Sequence, residues 1–148
     1  MIAILPVSAT DSQLALLTPM LADRIEAYAK DHMPDVVPRD MAAGVMIQVW
    51  GGSPVTRLLA LVDTETGVLV GHALATLEGK PPVLVISQMR ADQKVGDGLK
   101  DAVVQLEQWA RDAGVTKALL VTHKGPEEMY KKHGYRFARH IAYKELTV

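Results

Sequence analysis

The sequence contains no cysteine among its 148 residues. This absence excludes a disulfide scaffold, a thiolate metal site, an iron–sulfur cluster and a cysteine nucleophile. The sequence also has no apolar stretch near the roughly 20 residues that a membrane-spanning helix needs. Its N-terminus, MIAILPVSATD, has no basic start of the kind found in signal peptides. We therefore expect a cytoplasmic protein with no membrane partner.

The chain also lacks a strong net charge, since 16 basic residues face 17 acidic ones. A near-neutral balance is not typical of a nucleic-acid binder, so we expect no nucleic-acid partner. The balance hides a split: residues 1–92 carry 6 basic and 10 acidic groups, whereas residues 93–148 carry 10 and 7. An anionic ligand is therefore expected on the C-terminal part. The five histidines show no metal-binding spacing, and without cysteine we expect no metal.

Apolar residues make up 49 % of the chain, enough for the core of one domain over residues 1–148. Their spacing predicts the element order β-α-α-β-β-β-α-β-α-β-β. The predicted helices begin at Asp11, near Pro38, at Leu99 and at Pro126; the predicted strands cover residues 2–7, 57–63, 68–77, 82–89, 118–122, 135–138 and 141–146. This order indicates an α+β fold of three layers, with a mixed, mostly antiparallel sheet flanked by about four helices.

The most informative stretch is the loop over residues 93–98, which lies between a buried strand and the strongest helix pattern. Gly96 and Gly98 allow a tight turn and a close approach to a ligand. Loop amides that converge on a helix N-terminus form a nest that binds phosphate. The sequence has neither GxxxxGK[ST] nor GxGxxG, which argues against a P-loop nucleotidase and a Rossmann dinucleotide site.

The six residues of this loop match the Q/R-x-x-G-x-G/A signature of the GCN5-related N-acetyltransferase (GNAT) superfamily. Residues 129–135, with Tyr130, Gly134 and Tyr135, resemble the L-Y-x-x-x-G-F segment of the same family. The resemblance covers the whole chain in element order and residues 82–137 in motif detail. The chain is therefore identified as similar to the GNAT superfamily, with a GNAT-like fold.

The resemblance implies that acetyl-CoA is the co-substrate. Its pyrophosphate would bind the backbone amides of Gln93, Lys94, Val95, Gly96, Asp97 and Gly98. Its pantetheine arm would lie between the strands over residues 83–89 and 118–122, and a backbone amide near Gln88 or Met89 would polarise the acetyl carbonyl. In this family the amine attacks directly, and the tyrosine that matches Tyr130 often protonates the leaving thiolate.

The sequence departs from the family pattern at two of these positions. His123 stands where the family often has an asparagine that contacts the cofactor. Asp97 places a carboxylate inside the phosphate loop, so its side chain is expected to point outward. Glu78 and His72 are candidate proton acceptors for an ammonium substrate, although a solvated turn glutamate and a satisfied strand histidine are the simpler interpretations of these residues. His32 and Asp35 fall where the family shapes its acceptor site.

The function that we expect is acetyl transfer from acetyl-CoA to a primary amine of a small molecule or a protein, in a ternary complex. Two alternatives stay open. The first is a GNAT-fold protein with weak or no catalysis that serves as a binding or assembly module. The second is a transferase for a larger acyl-CoA. The final strands could also pair across a two-fold axis in a homodimer.

Overall fold

The computed structural model describes residues 1–8, 10–92, 95, 97–121, 134, 136–138 and 141–147, and only the backbone of 121, 136–138 and 141–143. The helices are α1 (Ser12–Ala15), α2 (Thr18–His32), α3 (Pro38–Trp50) and α4 (Gly98–Asp112). The strands are β1 (Ile2–Pro6), β2 (Thr56–Asp63), β3 (Leu69–Glu78), β4 (Val83–Ala91), β5 (Lys117–Val121), β6 (Arg136–Ala138) and β7 (Ile141–Glu145).

All seven of these strands form one sheet in the order β1-β2-β3-β4-β5-β7-β6. β4 and β5 run parallel, because α4 connects them and returns the chain to the end of the sheet at which β4 begins. Each of the other neighbouring pairs is antiparallel. The expected mixed, mostly antiparallel sheet is confirmed.

The helices cover both faces of the sheet, because successive side chains of a strand point to opposite faces. In β2, Leu59 and Leu61 belong to the core beneath α4. Leu58 and Ala60 belong to the core beneath α2 and α3. All four side chains are at most 1 % exposed, so the central strands are buried on both sides and the three-layer expectation is confirmed.

One helix boundary was predicted wrongly. The apolar spacing from Asp11 predicts a single helix, whereas the chain forms α1, a turn at residues 16–17 and then α2. Pro19 explains the break, since a proline has no N–H to donate and is tolerated only in the first turn of a helix. Leu14, Leu21 and Ile25 nevertheless pack into the same core, so the predicted apolar face survives the interruption.

The helix expected over residues 126–133 lies outside the described residues. In the part of the chain that the structure describes, none of the helices combines the length and apolar composition that a bilayer crossing requires.

Candidate active site

β4 contains a bulge close to the end of its described pairing with β5. The register of β3 and β4 shifts because Leu74 pairs with Gln88 while Ala75 pairs with Ile86, so Ser87 is the extra residue. Among the described residues, β4 pairs with β5 from Leu84 to Ile86. β4 itself continues to Ala91. The described pairing of the two parallel strands therefore ends immediately before the bulge at Ser87.

The bulge also reverses which face each β4 side chain occupies. Leu84 and Ile86 lie in the core beneath α4. Gln88 would share that face in a regular strand, but it contacts Ile25 and Met41 of α2 and α3 instead. Arg90 follows on the same side and reaches Asp31 of α2. Polar side chains after the bulge thus face α2 and α3.

Gln88 is fixed by hydrogen bonds on both ends of its carboxamide. Its Oε1 lies 2.8 Å from Nε2 of His72. Its Nε2 donates to the carbonyl oxygen of Ile25 at 3.4 Å and to the sulfurs of Met33 and Met41 at 3.5 Å. Since a carboxamide oxygen only accepts, Nε2 of His72 is the donor in this pair.

His72 is fully buried and neutral. Burial lowers its pKa from 6.5 to about 4, Gln88 opposes this shift, and the cationic Arg24 and Arg90 add to it. With the proton on Nε2, Nδ1 is unprotonated and has no partner among the described residues. Because Nε2 donates to Gln88 and the imidazole is buried, His72 positions Gln88 and is not accessible to a substrate amine.

Tyr28 of α2 reaches the strand at the same point. Its hydroxyl accepts a hydrogen bond from the backbone N–H of Met89. Burial raises the pKa of the phenol, while the guanidinium of Arg90 and the Met89 amide lower it, and the net direction is upward. The phenol is therefore protonated at neutral pH. Its ring lies edge-on to His72, with 6.1 Å between the centroids.

An ion pair fixes the start of the loop that follows β4. Arg24 of α2 lies 3.2 Å from the carboxylate of Asp92 and donates to the carbonyl of Leu69 at 3.1 Å. The backbone N–H of Asp92 donates to Val70 at 2.8 Å. The last residue before the loop over 93–98 is therefore tied to both α2 and β3.

The described part of that loop packs tightly beneath the first turn of α4. Val95 is buried, and a Cβ at Gly98 would overlap its Cγ1 and approach Leu61. The amides of Val95 and Gly98 donate within the loop, to Asp92 and Val95 respectively. Position 98 therefore needs glycine for close packing, and neither amide is open to a ligand in this arrangement.

Among the described residues, the amides that can face a ligand belong to the first turn of α4. An α-helix leaves its first N–H groups without intrahelical partners, and among the described residues no side chain caps α4. The side chain of Asp97 is 82 % exposed and lies 3.8 Å from Nζ of Lys100. It points outward as expected, so the start of α4 offers amides and a favourable dipole to an anion.

A hollow of about 430 Å³ lies on the other side of the α4 start, toward β1, and carries the carboxylates of Asp63, Asp97 and Asp101. Three carboxylates would repel a phosphate, so this hollow does not suit a pyrophosphate. Among the described residues, no group of three or more His, Asp or Glu side chains could hold a metal ion.

Glu78 does not join this site. It is exposed at the end of β3, pairs with Val83 and accepts a hydrogen bond from Thr76 at 2.7 Å. Leu74, which pairs with Gln88, is four residues away, or roughly 13 Å along the strand. The structure brings together Gln88, Met89 and His72, and leaves Glu78 at the far end of the β3–β4 ladder.

Several predicted site residues lie outside the described residues: Gln93, Lys94, Gly96, His123 and Tyr130. Of the two residues expected near an acceptor, His32 lies 2.9 Å from Nη2 of Arg90, whereas Asp35 is exposed beyond the end of α2.

Tyr28 and Arg90 are not among the site residues that the sequence predicts. One signal was present, since Tyr28, Asp31 and His32 stand at positions i, i+3 and i+4 and share a helix face.

No protein-family model and no curated protein matches the sequence. Solved structures do match. The aminoglycoside 6′-N-acetyltransferase from Enterococcus faecium shares 14 % identity at a TM-score of 0.72, over 99 % of this chain and 98 % of that one. A GNAT-family acetyltransferase from Staphylococcus aureus Mu50 shares 12 % identity at 0.72, over 99 % and 100 %. The PaiA N-acetyltransferase from Thermoplasma acidophilum, in complex with coenzyme A, shares 10 % identity at 0.64, over 100 % and 99 %. The chain therefore has the GNAT fold, and the resemblance inferred from sequence is confirmed at this level.

Proposed function

We propose that the protein is an N-acetyltransferase that uses acetyl-CoA and transfers the acetyl group directly to a primary amine. The observation that carries this proposal is the bulge at Ser87, which immediately follows the described pairing of β4 with β5, together with the uncapped N-terminus of α4. In a GNAT-like fold, a gap between these two parallel strands would hold the extended thioester arm. The adjoining helix terminus suits a pyrophosphate. Binding of acetyl-CoA is also supported by the similar structure from Thermoplasma acidophilum, which was solved in complex with coenzyme A.

Acetyl-CoA would supply an activated acetyl group and a thiolate leaving group. The first turn of α4 and the loop over residues 93–98 would hold its pyrophosphate, through amides other than those of Val95 and Gly98. The backbone at Gln88 and Met89 would polarise the acetyl carbonyl, a contribution of about 3–4 kcal/mol for a well-placed donor. Tyr130, which matches the family's acid by sequence, would protonate the thiolate. We leave Glu78 out of this mechanism because it lies far from the Gln88 position.

One contact must change for the amide of Met89 to serve a substrate. That amide already donates to the Tyr28 hydroxyl. A carbonyl oxygen that enters the gap would therefore displace the phenol or take its O–H as a second donor. The Tyr28 hydroxyl contacts the same backbone amide that is proposed to polarise the acetyl carbonyl. Tyr28 is therefore one of the residues proposed to bind the acetyl group.

The same contact favours a second candidate function. If Tyr28 keeps the Met89 amide, and if His123 fails to replace the family's asparagine, the fold would bind a CoA thioester without efficient transfer. The protein would then serve as a binding or assembly module.

Two measurements test these proposals. Calorimetry with acetyl-CoA should show saturable binding at one site per chain, and thiol release with a panel of primary amines should show turnover. Binding without turnover would favour the module, and absence of both would refute the proposed function.

A further inference from the structure

Four side chains meet where the end of α2 lies beside the last residues of β4: Tyr28, Asp31, His32 and Arg90. Nη2 of Arg90 donates to Asp31 Oδ2 at 3.0 Å and lies 2.9 Å from Nε2 of His32. The guanidinium carbon lies 5.2 Å from the centroid of the Tyr28 ring. A guanidinium cannot accept a hydrogen bond, so His32 receives it through an unprotonated Nε2. These contacts hold the cation of Arg90 in one orientation.

The guanidinium of Arg90 lies next to the position proposed for the acetyl carbonyl. Arg90 directly follows Met89 on β4 and, because of the bulge, faces α2. Tyr28 links the two positions, since its hydroxyl receives the Met89 N–H and its ring supports Arg90. The loop over residues 93–98 leads into α4 on the other face of the sheet. An acceptor that enters from the α2 side would therefore meet Arg90 beside the reacting carbonyl.

The guanidinium still has donors to offer. Only its Nη2 makes hydrogen bonds within the described residues, which leaves Nε and Nη1 without protein partners there. The side chain of Arg90 is 31 % exposed and that of Asp31 is 54 % exposed. A ligand can therefore reach the cation from solvent without breaking a buried ion pair.

We propose that Arg90 binds a carboxylate of the acceptor, so that the acceptor is an amine that also carries a carboxylate. One oriented guanidinium with two open donor nitrogens matches the single negative charge of a carboxylate. The proposal rests on the acetyltransferase function above and names its substrate class. Arg90 is thereby a specificity-determining residue.

The test compares amines in matched pairs that differ only in the anion: glycine and glycinamide, β-alanine and β-alaninamide, and γ-aminobutyrate and its amide. Thiol release gives kcat/KM for each amine with acetyl-CoA, and calorimetry gives its affinity for the protein loaded with CoA. The carboxylate of at least one pair should be preferred about 10- to 100-fold, the range for a hydrogen bond to a charged group. Arg90→Gln should remove this preference, and Arg90→Lys should keep part of it.

Arg57→Gln provides the matched control. The guanidinium of Arg57 lies 5.6 Å from the Trp109 ring on the α4 side of the sheet, so its loss removes a comparable cation away from the site. The carboxylate preference should survive in this variant. Equal use of carboxylates and amides by the unmodified protein, or a preference that persists in Arg90→Gln, would overturn the proposal.

Two further measurements distinguish failure of the carboxylate proposal from failure of the proposed function or of folding. If no amine releases thiol, the proposed function fails, and the calorimetric pairs alone decide whether Arg90 selects carboxylates. If Arg90→Gln does not fold, Asp31→Asn decides, because it removes the competing carboxylate and frees Nη2. A stronger carboxylate preference in Asp31→Asn supports the proposal, and an unchanged or weaker one overturns it.

Discussion

The imidazole of His72 and the carboxamide of Gln88 form a buried hydrogen bond between β3 and β4, with 2.8 Å from Nε2 to Oε1. Gln88 is the first residue after the Ser87 bulge. The pair therefore fixes the backbone of β4 immediately after the bulge. Neither group is exposed by more than 1 %, so this polar contact sits inside an otherwise apolar layer and specifies the register there.

The first prediction concerns the pH dependence of stability. The pKa of His72 is about 4 in the folded protein and 6.5 when unperturbed. Between these values the unfolded chain binds a proton that the folded chain does not, so stability falls as the pH falls. From pH 7 to pH 5 the loss from this residue should be about 2 kcal/mol. Urea unfolding at both pH values measures it.

His72→Gln provides the comparison for this prediction, because a glutamine can donate to Gln88 but does not titrate. Carboxylates elsewhere contribute alike to both proteins, so the difference between the two pH profiles isolates His72. Parallel profiles would contradict the assignment of a neutral, buried imidazole.

The second prediction concerns the packing of the loop beneath α4. Gly98→Ala should destabilise the protein by about 1–3 kcal/mol, because the new methyl group meets Val95 Cγ1 in a filled core. In a Val95→Ala background the same change should cost less than about 1 kcal/mol, since the overlapping atom is gone. Denaturant unfolding of the four proteins gives the coupling energy.

Gly44→Ala is the matched control for this substitution. Gly44 lies inside α3, and a Cβ there would meet nothing within 4 Å. Alanine should therefore stabilise the protein by about 0.5–1 kcal/mol. Additive effects of Gly98→Ala and Val95→Ala would show that the two residues are not in contact.

Much of the fold could be predicted from apolar spacing, whereas the details of the site could not. The run over residues 82–89 is apolar at almost every position, so it predicts a buried strand but contains no alternation that would reveal a bulge. The bulge decides that Gln88 and Arg90 face α2. Arg90 meets Asp31 across 59 residues of sequence, and no local pattern encodes such a contact. The pairing of His72 with Gln88 left one trace, two polar residues in neighbouring apolar strands.

The third prediction concerns cofactor affinity. Asp97→Asn should tighten acetyl-CoA binding by about 2- to 5-fold at low salt, because it removes a negative charge from the start of α4. The gain should shrink as salt screens the exposed side chain. Asp112→Asn changes the same charge at the opposite end of α4 and should leave the affinity unaltered. Equal effects of both variants in calorimetry would argue against a pyrophosphate at the α4 N-terminus.

The fourth prediction concerns the proposed acid. Tyr130→Phe should lower kcat about 100-fold at neutral pH, because general acid catalysis contributes on this scale. The loss should diminish above about pH 8.5, the ordinary pKa of a thiol, since the thiolate then leaves without a proton. Tyr135→Phe removes a hydroxyl from the same sequence segment and serves as the control. Turnover that Tyr130→Phe leaves unchanged across pH would refute the assignment.

The last prediction separates the two uses of the Met89 amide. Tyr28→Phe removes the hydroxyl that receives this amide and keeps the ring beneath Arg90. If an acetyl carbonyl competes with the phenol for the same N–H, the variant should bind acetyl-CoA about 2- to 10-fold more tightly, the worth of one hydrogen bond. CoA has no acetyl carbonyl, so its affinity should not change, and it is the internal control. A parallel change for both ligands would point to a general effect on the fold. Weaker binding of acetyl-CoA alone would instead make the Tyr28 O–H a donor to the carbonyl.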